Sequence, residues 1–220
     1  MPLRSGGEPQ NAMSDVHTTP RHTLPTPTWG TGRIIGMWMV SFAGYPLGGY
    51  AAYLLTGRVD GFGSALAGGL ITGAVLGAFQ AWAMGSVRPR PSTWILATAV
   101  GLMVGVAAGA ELVDYRTDLG SLVAQGAVSG LVMGIAQGVV LAPRLGAVAL
   151  VWPLFLSGTL ALGWAVTTSA GIDVDQQFTI FGSSGALVAT LLTAALPLVL
   201  ARFSERHGSV GGRADGATAA

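Results

Sequence analysis

The sequence predicts an all-α integral membrane protein with six transmembrane helices, arranged as three parallel helical hairpins that pack through glycine. Three observations lead to this fold class. Half of the 220 residues are apolar and only 10% are charged, whereas about a quarter of the residues of a soluble protein are charged. The apolar residues form separate runs, each near the ~20 residues that a helix needs to cross a membrane. Small residues also recur at every fourth position along several runs.

The predicted spans cover approximately residues 30–55, 62–84, 93–113, 119–142, 147–169 and 179–201. Lipid offers no partner to backbone N–H and C=O groups, so each span must satisfy them within a helix, even where glycine is abundant. Pro46 predicts a bend in the first span, because proline cannot donate the helical hydrogen bond. The polar segments 1–29 and 202–220 have too little apolar surface to fold alone and are predicted to be disordered tails.

The arginines predict the direction of the spans. All eleven basic residues are arginine, and nine of them lie in the two tails, at the very start of the first span (Arg33) and in the loops after the second and fourth spans. Only Arg58 and Arg116 lie on the opposite side. Basic residues near the spans are retained in the cytoplasm, so both termini are predicted to be cytoplasmic. The absence of lysine and the abundance of alanine and glycine indicate a bacterial genome, which predicts the bacterial cytoplasmic membrane as the location.

A unit of about 56 residues recurs along the chain, which indicates an internal repeat. The second and fourth spans align through Gly69, Thr72, Gly73, Gly77 and Gln80 over Gly126, Ser129, Gly130, Gly134 and Gln137. The sixth span keeps the pattern only as Ser184, Gly185 and Ala189, with Leu192 in place of the glutamine. Each odd span has a tryptophan eleven residues before a glycine, namely Trp38, Trp94 and Trp152. Because every copy begins on the same side, the repeats are predicted to be parallel, around an axis along the membrane normal.

Glycine ridges are predicted to hold the helices together. Helices already in lipid gain nothing from hydrophobic burial against each other, so close packing must supply the attraction, and glycines four residues apart share one helix face. The predicted packing residues are Gly69, Gly73, Gly77, Gly101, Gly105, Gly109, Gly126, Gly130, Gly134 and Gly138. Helices two, three and four are therefore expected to form the tightest part of the bundle.

Four polar residues within the spans are candidate functional positions: Thr72, Gln80, Ser129 and Gln137. One interpretation is a polar clasp, since an amide can form a hydrogen bond across a helix interface. The other is contact with a solute, which requires both glutamines to face a common cavity. Trp38, Trp82, Trp94 and Trp152 are interpreted as anchors at the membrane interface, where tryptophan is enriched.

No catalytic, cofactor or metal site is predicted. Glu111, Asp114 and Asp118 cluster at one loop, with Asp173 and Asp175 in another, and hard cations bind such oxygens. Loop charge asymmetry and solvation explain these acids as well, and the loops lack EF-hand spacing. The chain has no cysteine, which excludes thiolate metal sites and cysteine nucleophiles. Ser183 and Ser184 lack the Gly-x-Ser-x-Gly spacing of a nucleophile turn.

The repeated Gly-x-x-x-Gly-x-x-Gln pattern, ending at Gln80 and Gln137, resembles a loose group of small bacterial multi-pass membrane proteins without assigned function. In that group a tryptophan usually follows the glutamine directly. Here Ala81 and then Trp82 follow the first glutamine, and Gly138 follows the second. The resemblance implies a membrane protein and no particular activity.

The expected function is therefore that of a non-enzymatic, multi-pass membrane protein, a structural or accessory subunit that acts by helix association. Its expected partners are the lipid bilayer and other membrane proteins or itself, with no nucleic acid. The alternative is a transporter or channel for a small neutral solute. An interior filled by helix contacts favours the first function, and a continuous water-accessible cavity favours the second.

Overall fold

All of the regular secondary structure described by the computed structural model is helical. The structure describes residues 30–172, 174 and 179–214, with side chains up to residue 204. Within these residues no strand occurs. The helices are α1 Thr31–Val40, α2 Gly44–Thr56, α3 Phe62–Ala83, α4 Pro91–Leu112, α5 Leu119–Leu145, α6 Trp152–Ser169, α7 Ser183–Thr193 and α8 Ala195–Ala214. The predicted all-α class is confirmed for this part of the chain.

Four helical stretches in the described residues are long and apolar enough to cross a membrane: Phe62–Ala83, Pro91–Leu112, Leu119–Ser169 and Ser183–Ser204. The predicted number of six is larger for two reasons. The third stretch contains α5 and α6, which are separated by a 3₁₀ turn at Gly146–Val151. The first predicted span is divided into α1 and α2, of 10 and 13 residues, each shorter than a single ~30 Å crossing at ~1.5 Å per residue.

Two of the helix interruptions lie one turn before a proline. A proline has no backbone N–H, and its ring collides with the carbonyl four residues earlier in a regular helix. For Pro46 that carbonyl belongs to Phe42, which lies in the 3₁₀ turn Ser41–Ala43 between α1 and α2. For Pro197 it belongs to Thr193, the last residue of α7. The disturbance predicted at Pro46 therefore takes the form of a 3₁₀ turn.

From α2 to α7, the most extensive packing joins helices that are neighbours in the sequence. The largest interfaces join α3 with α4, α4 with α5, and α5 with α6, and smaller ones join α2 with α3 and α6 with α7. The closure between the first and last helices is much narrower. We call the contact of α1 and α2 with α7 and with the segment 179–182 before it the closing seam. It includes the stacked rings of Tyr45 and Phe181, whose centroids are 5.4 Å apart.

Large apolar side chains fill the middle of the bundle. Leu76, Leu102 and Met133 are at most 1% exposed, and Leu156 and Leu160 lie beside them in the same buried cluster. Many large apolar side chains also lie on the outside, including Leu96, Val139 and Leu154. An outer surface of this kind suits contact with lipid, because soluble proteins rarely expose large apolar patches.

The ends of the chain differ in part from the predicted boundaries. The last helix continues to Ala214, beyond the predicted span end at residue 201. The predicted tail at 1–29, the last residues of the predicted tail at 202–220, and the acidic positions Asp173 and Asp175 lie outside the described residues.

Candidate functional site

The glycines of α3 lie where its backbone meets the backbone of α4. A Cβ atom added at Gly69 would lie 2.7 Å from the carbonyl oxygen of Leu102, and one added at Gly73 would lie 2.6 Å from that of Thr98. At Gly77 the shortest such distance, to a backbone atom of α4, is 3.0 Å. Carbon contacts are most favourable at about 3.5–4.0 Å, so a side chain at the first two positions would push the helices apart.

The glycines of α4 meet α5 in the same way. A Cβ atom added at Gly101 would lie 2.7 Å from the Cα of Met133. One added at Gly105 would lie 2.8 Å from the Cα of Ser129, and one at Gly109 would lie 2.8 Å from the nearest carbonyl oxygen of α5. The α4 glycines thus place Ser129, one of the candidate polar residues, at a backbone contact between helices.

The glycines of α5 meet α6 in turn. A Cβ atom at Gly126 would lie 2.7 Å from the carbonyl oxygen of Leu160, and one at Gly134 would lie 2.5 Å from the Cα of Pro153. Gly130, between them, faces the carbonyl of Leu156 even more closely. These contacts show that α5 and α6 run antiparallel, because later glycines meet earlier residues of α6. Gly138 is looser, with its nearest neighbour at 3.3 Å.

Each candidate glutamine accepts a hydrogen bond from the tryptophan at the start of the next helix. The Nε1–H of Trp94 donates to Oε1 of Gln80 at 3.2 Å, and the Nε1–H of Trp152 donates to Oε1 of Gln137 at 2.9 Å. We call a hydrogen bond of this kind, from a tryptophan near the start of one helix to an oxygen near the end of another, an indole clasp. Both clasps join the end of one helix to the start of its successor, across the intervening loop.

The two indole clasps are parts of one hydrogen-bond network. The Nε2 of Gln137 donates to Oγ1 of Thr98 at 2.9 Å, and the hydroxyl of Thr98 donates to the carbonyl of Trp94 at 2.9 Å. The network therefore runs from α6 through α5 and α4 to α3. All of its members except Trp152 are buried, and Trp152 is partly buried. The glutamines are joined through protein groups, which favours the interpretation as a polar clasp.

Trp38 forms a third indole clasp at the closing seam. Its Nε1–H lies 3.1 Å from the carbonyl oxygen of Thr190 and 3.3 Å from Oγ1 of Thr193, in α7. Alignment of the helices places Leu192 where the other copies have glutamine, but Leu192 is 39% exposed and points outward. The next residue, Thr193, thus supplies the polar contact that the alignment lacked.

The interpretation of these tryptophans as interfacial anchors was wrong for Trp38 and Trp94, which are 1% and 0% exposed. Trp82 is 57% exposed, as an anchor would be. The sequence contained a usable signal: Trp94 follows Gln80 by 14 residues, and Trp152 follows Gln137 by 15. Two antiparallel helices joined by a short loop bring residues at such a spacing side by side.

Thr72 is separate from the indole clasps. Its Oγ1 lies 2.6 Å from Oγ1 of Thr179 and 3.3 Å from the carbonyl oxygen of Gly48. It therefore links α3 to α2 and to the segment before α7. The four candidate polar residues do not form one cluster, since Thr72 serves the closing seam while Ser129 lies between α4 and α5.

The acidic loop between α4 and α5 uses its side chains locally. Asp118 caps α5: its Oδ1 accepts from the backbone N–H of Ser121 at 3.1 Å, and its Oδ2 accepts from the Ser121 hydroxyl. These bonds lower the pKa of Asp118. The Tyr115 hydroxyl donates to Glu111, which raises the pKa of Tyr115 to about 12. Among the described residues, no group of three His, Cys, Asp or Glu side chains is placed to hold a metal ion.

A cavity of about 180 Å³ opens in the closing seam. Its lining is mostly apolar and combines α2 with the end of α6 and the start of α7; it includes Tyr45, Tyr50, Trp164, Thr167, Phe181 and Gly182. We call it the seam pocket. The indole clasps lie at the other end of the bundle, near the ends of α3, α5 and α7.

Comparison of the chain with protein-family models, curated proteins and solved structures found no match.

Proposed function

We propose that the chain is a six-span protein of the bacterial cytoplasmic membrane, built from three parallel hairpins, and that it works as a non-enzymatic structural or accessory subunit. In this proposal α1 and α2 together form the first span, and α7 with the start of α8 forms the last. The antiparallel α5 and α6 count as two spans. The arginine distribution supports cytoplasmic termini.

The observation that carries the proposal is the buried network from Trp152 through Gln137 and Thr98 to Trp94 and Gln80. It ties four consecutive helices together, and Leu76, Leu102 and Met133 fill the space beside them. Polar groups that would have to line a solute path are instead bonded to neighbouring helices. A bundle built in this way supports a fixed shape, which is what an associating subunit needs.

The recurrence of the indole clasp supports the three-hairpin arrangement. Trp38, Trp94 and Trp152 each donate from the beginning of an outgoing helix to the end of a returning helix. The third clasp connects the last hairpin back to the first. This is the connectivity expected of three similar units around a common axis.

The experiment that tests the proposal combines assembly and transport. The protein, cross-linked in its membrane and released in lipid nanodiscs, is expected to have a native mass above the 22.3 kDa of one chain, with a fixed stoichiometry of copies or partners. In proteoliposomes it is expected to leave glycerol and urea flux unchanged, as followed by osmotic light scattering. A single-chain mass together with an accelerated flux would instead establish the transporter.

A transporter or channel for a small neutral solute is the second candidate, and the seam pocket is the observation that favours it. The pocket is open to the outside of the bundle and contains two tyrosines and Thr167. A narrow closing seam could widen to admit a solute. Flux that disappears in a Gly182→Val variant, which narrows this pocket, would support this candidate.

A further inference from the structure

We propose that the surface between α8 and the hairpin of α5 and α6 binds an anionic phospholipid, with the lipid phosphate on Arg144 and part of an acyl chain in an apolar cavity nearby. This inference rests on the membrane placement of the bundle and is independent of the accessory role. Four features carry it: an arginine held in place by a loop, two cavities that follow one another along α8, the depth of these cavities, and the charge of this end of the bundle.

The first feature is the guanidinium of Arg144, near the end of α5. Its Nη1 donates to the carbonyl oxygens of Val87 and Arg88, at 2.7 and 2.8 Å. A guanidinium carries five N–H donors, so the donors on Nε and Nη2 are left for another acceptor. The loop between α3 and α4 thus holds the group in place on an exposed side chain. The planar fork of an arginine suits the oxygens of a phosphate.

The second feature is a pair of cavities along α8. The first, which we call the arginine cavity, has a volume of about 220 Å³ and is lined by Pro143, Arg144, Leu200, Phe203 and Ser204. The hydroxyl of Ser204 donates to the carbonyl of Leu200 at 2.9 Å, so the guanidinium is the donor that serves a ligand there.

The second cavity, of about 150 Å³, has only apolar and aromatic side chains in its lining. We call it the tail cavity; its walls include Val148, Val151, Trp152, Leu196 and Val199. Val148 and Val151 are 48% and 63% exposed, which leaves the cavity accessible from the side. An apolar cavity of ~150 Å³ is known to accept benzene, so several methylene groups of an acyl chain would fit.

The third feature is the depth of the two cavities. Ser204, in the arginine cavity, is the last residue of the apolar stretch Ser183–Ser204. Leu196 and Val199, in the tail cavity, lie one to two turns earlier in α8. In a spanning helix the end of the stretch lies near the lipid headgroups, and the earlier turns lie in the hydrocarbon. A phospholipid presents its phosphate and its chains in the same order.

The fourth feature is the charge of this end of the bundle. Arg88, Arg90 and Arg202 lie at the same end as Arg144. The acidic residues whose side chains the structure describes belong to the loops at the opposite end: Asp60, Glu111, Asp114 and Asp118. A basic site at the membrane surface favours an anionic lipid over a zwitterionic one.

The test is native mass spectrometry of the full-length protein in detergent, titrated separately with dioleoyl phosphatidylglycerol and dioleoyl phosphatidylcholine. The chains of the two lipids are identical, so the ratio of their affinities reports the headgroup. Phosphatidylglycerol is expected to bind about fivefold more tightly. It should also raise the melting temperature more than phosphatidylcholine does, because a ligand of the folded state stabilises it. Glycerol phosphate, which has no chains, should produce neither effect.

Two arginines provide a matched pair of variants. Arg144→Gln removes the charge from the arginine cavity and is expected to reduce the affinity ratio to about one. Arg90→Gln removes an exposed charge at the same end that lines neither cavity and should keep the ratio. Because the ratio is measured within each variant, a general loss of stability lowers the affinity for both lipids and leaves the ratio unchanged.

Equal affinities for the two lipids in the wild type, or equal loss of the ratio in Arg144→Gln and Arg90→Gln, would overturn the inference. Binding of glycerol phosphate as tight as that of phosphatidylglycerol would replace the lipid with a soluble anion and would also overturn it. Failure of the accessory role is recognised separately, because a single-chain mass and an accelerated solute flux can occur while the lipid preference remains.

Discussion

Gln137 forms hydrogen bonds in two directions, accepting from Trp152 and donating to Thr98. An amide can do this because it carries both a carbonyl and an NH₂ group. A carboxylate at this position could accept from Trp152 but could not donate to Thr98. The residue is therefore well suited to join α4 and α6 through α5.

We expect Gln137→Leu to lower the free energy of unfolding in detergent by about 1–2 kcal/mol. The melting temperature should fall accordingly. The substitution leaves the Trp152 indole and the Thr98 hydroxyl without their partner. The check is a double-mutant cycle with Trp152→Phe, which removes the indole N–H that donates to Gln137. A non-additive double variant is expected; simple addition of the two effects would mean that the bond contributes nothing.

A pH effect is expected at Tyr115. The hydrogen bond to Glu111 stabilises the neutral phenol and raises its pKa to about 12, so this contribution is complete below the ordinary pKa near 10 and disappears as the pH passes 12. Ultraviolet titration of tyrosinate should show a group that ionises near pH 12 in the wild type, and the amplitude of that step should be lost in Tyr115→Phe. In Glu111→Gln that group should titrate nearer to 10, and an unchanged titration would contradict the assignment.

The residue types of the candidate site could be read from the sequence, but their partners could not. Gln80 and Gln137 were recognised as polar residues in apolar helices, because such residues need partners in lipid. The burial of Trp38 and Trp94 could not be predicted, because enrichment at the interface is a general tendency, whereas burial depends on which side of the helix faces its neighbour. The contact of Arg144 with the loop before α4 carries no sequence signal, since 57 residues separate Arg144 from Val87.

At the scale of the element, glycine allows each helix to rest against the backbone of the next. The glycines of α3 face α4, those of α4 face α5, and those of α5 face α6. The bundle is thus built from repeated pairwise contacts. A side chain at the closest of these contacts would push the two helices apart locally.

Gly130→Ala is expected to destabilise the fold by about 1–3 kcal/mol, the usual effect of overpacking, because the new methyl group collides with the carbonyl of Leu156 in α6. Thermal unfolding in detergent measures this. Gly158→Ala is the matched control, since nothing lies within 4 Å of the added atom. Equal melting temperatures for the two variants would show that backbone contact at Gly130 is unimportant.

The sequence predicted the long helices well, since α3 and α4 begin and end within two residues of the predicted 62–84 and 93–113. Their apolar composition and polar flanks are local properties. The division of the first span was harder to predict, because Pro46 identifies a disturbance but not whether the helix bends, continues or divides. The pairing of the α5 glycines with α6 was equally hard to predict. Glycines four residues apart define one face of a helix, but they do not say which neighbouring helix that face meets.

At the scale of the whole molecule, the proposed orientation gives a direct prediction. The chain has no cysteine, so a single introduced thiol reports its own location. Asp60→Cys, between α2 and α3, should react with an impermeant maleimide added to intact cells. Ser86→Cys, between α3 and α4, should react only after the membrane is opened. The reverse pattern would invert the proposed topology.

The indole clasps hold only one end of the bundle, and the seam pocket lies toward the other end. The two ends of the closing seam are therefore joined differently, by an indole hydrogen bond at one end and by ring stacking beside a cavity at the other. Tension in the surrounding bilayer should therefore widen the seam pocket before it separates the helices at the end that the indole clasps join. Any separation of α7 from α2 would begin at the seam pocket, while α3 to α6 remain joined by their glycine contacts.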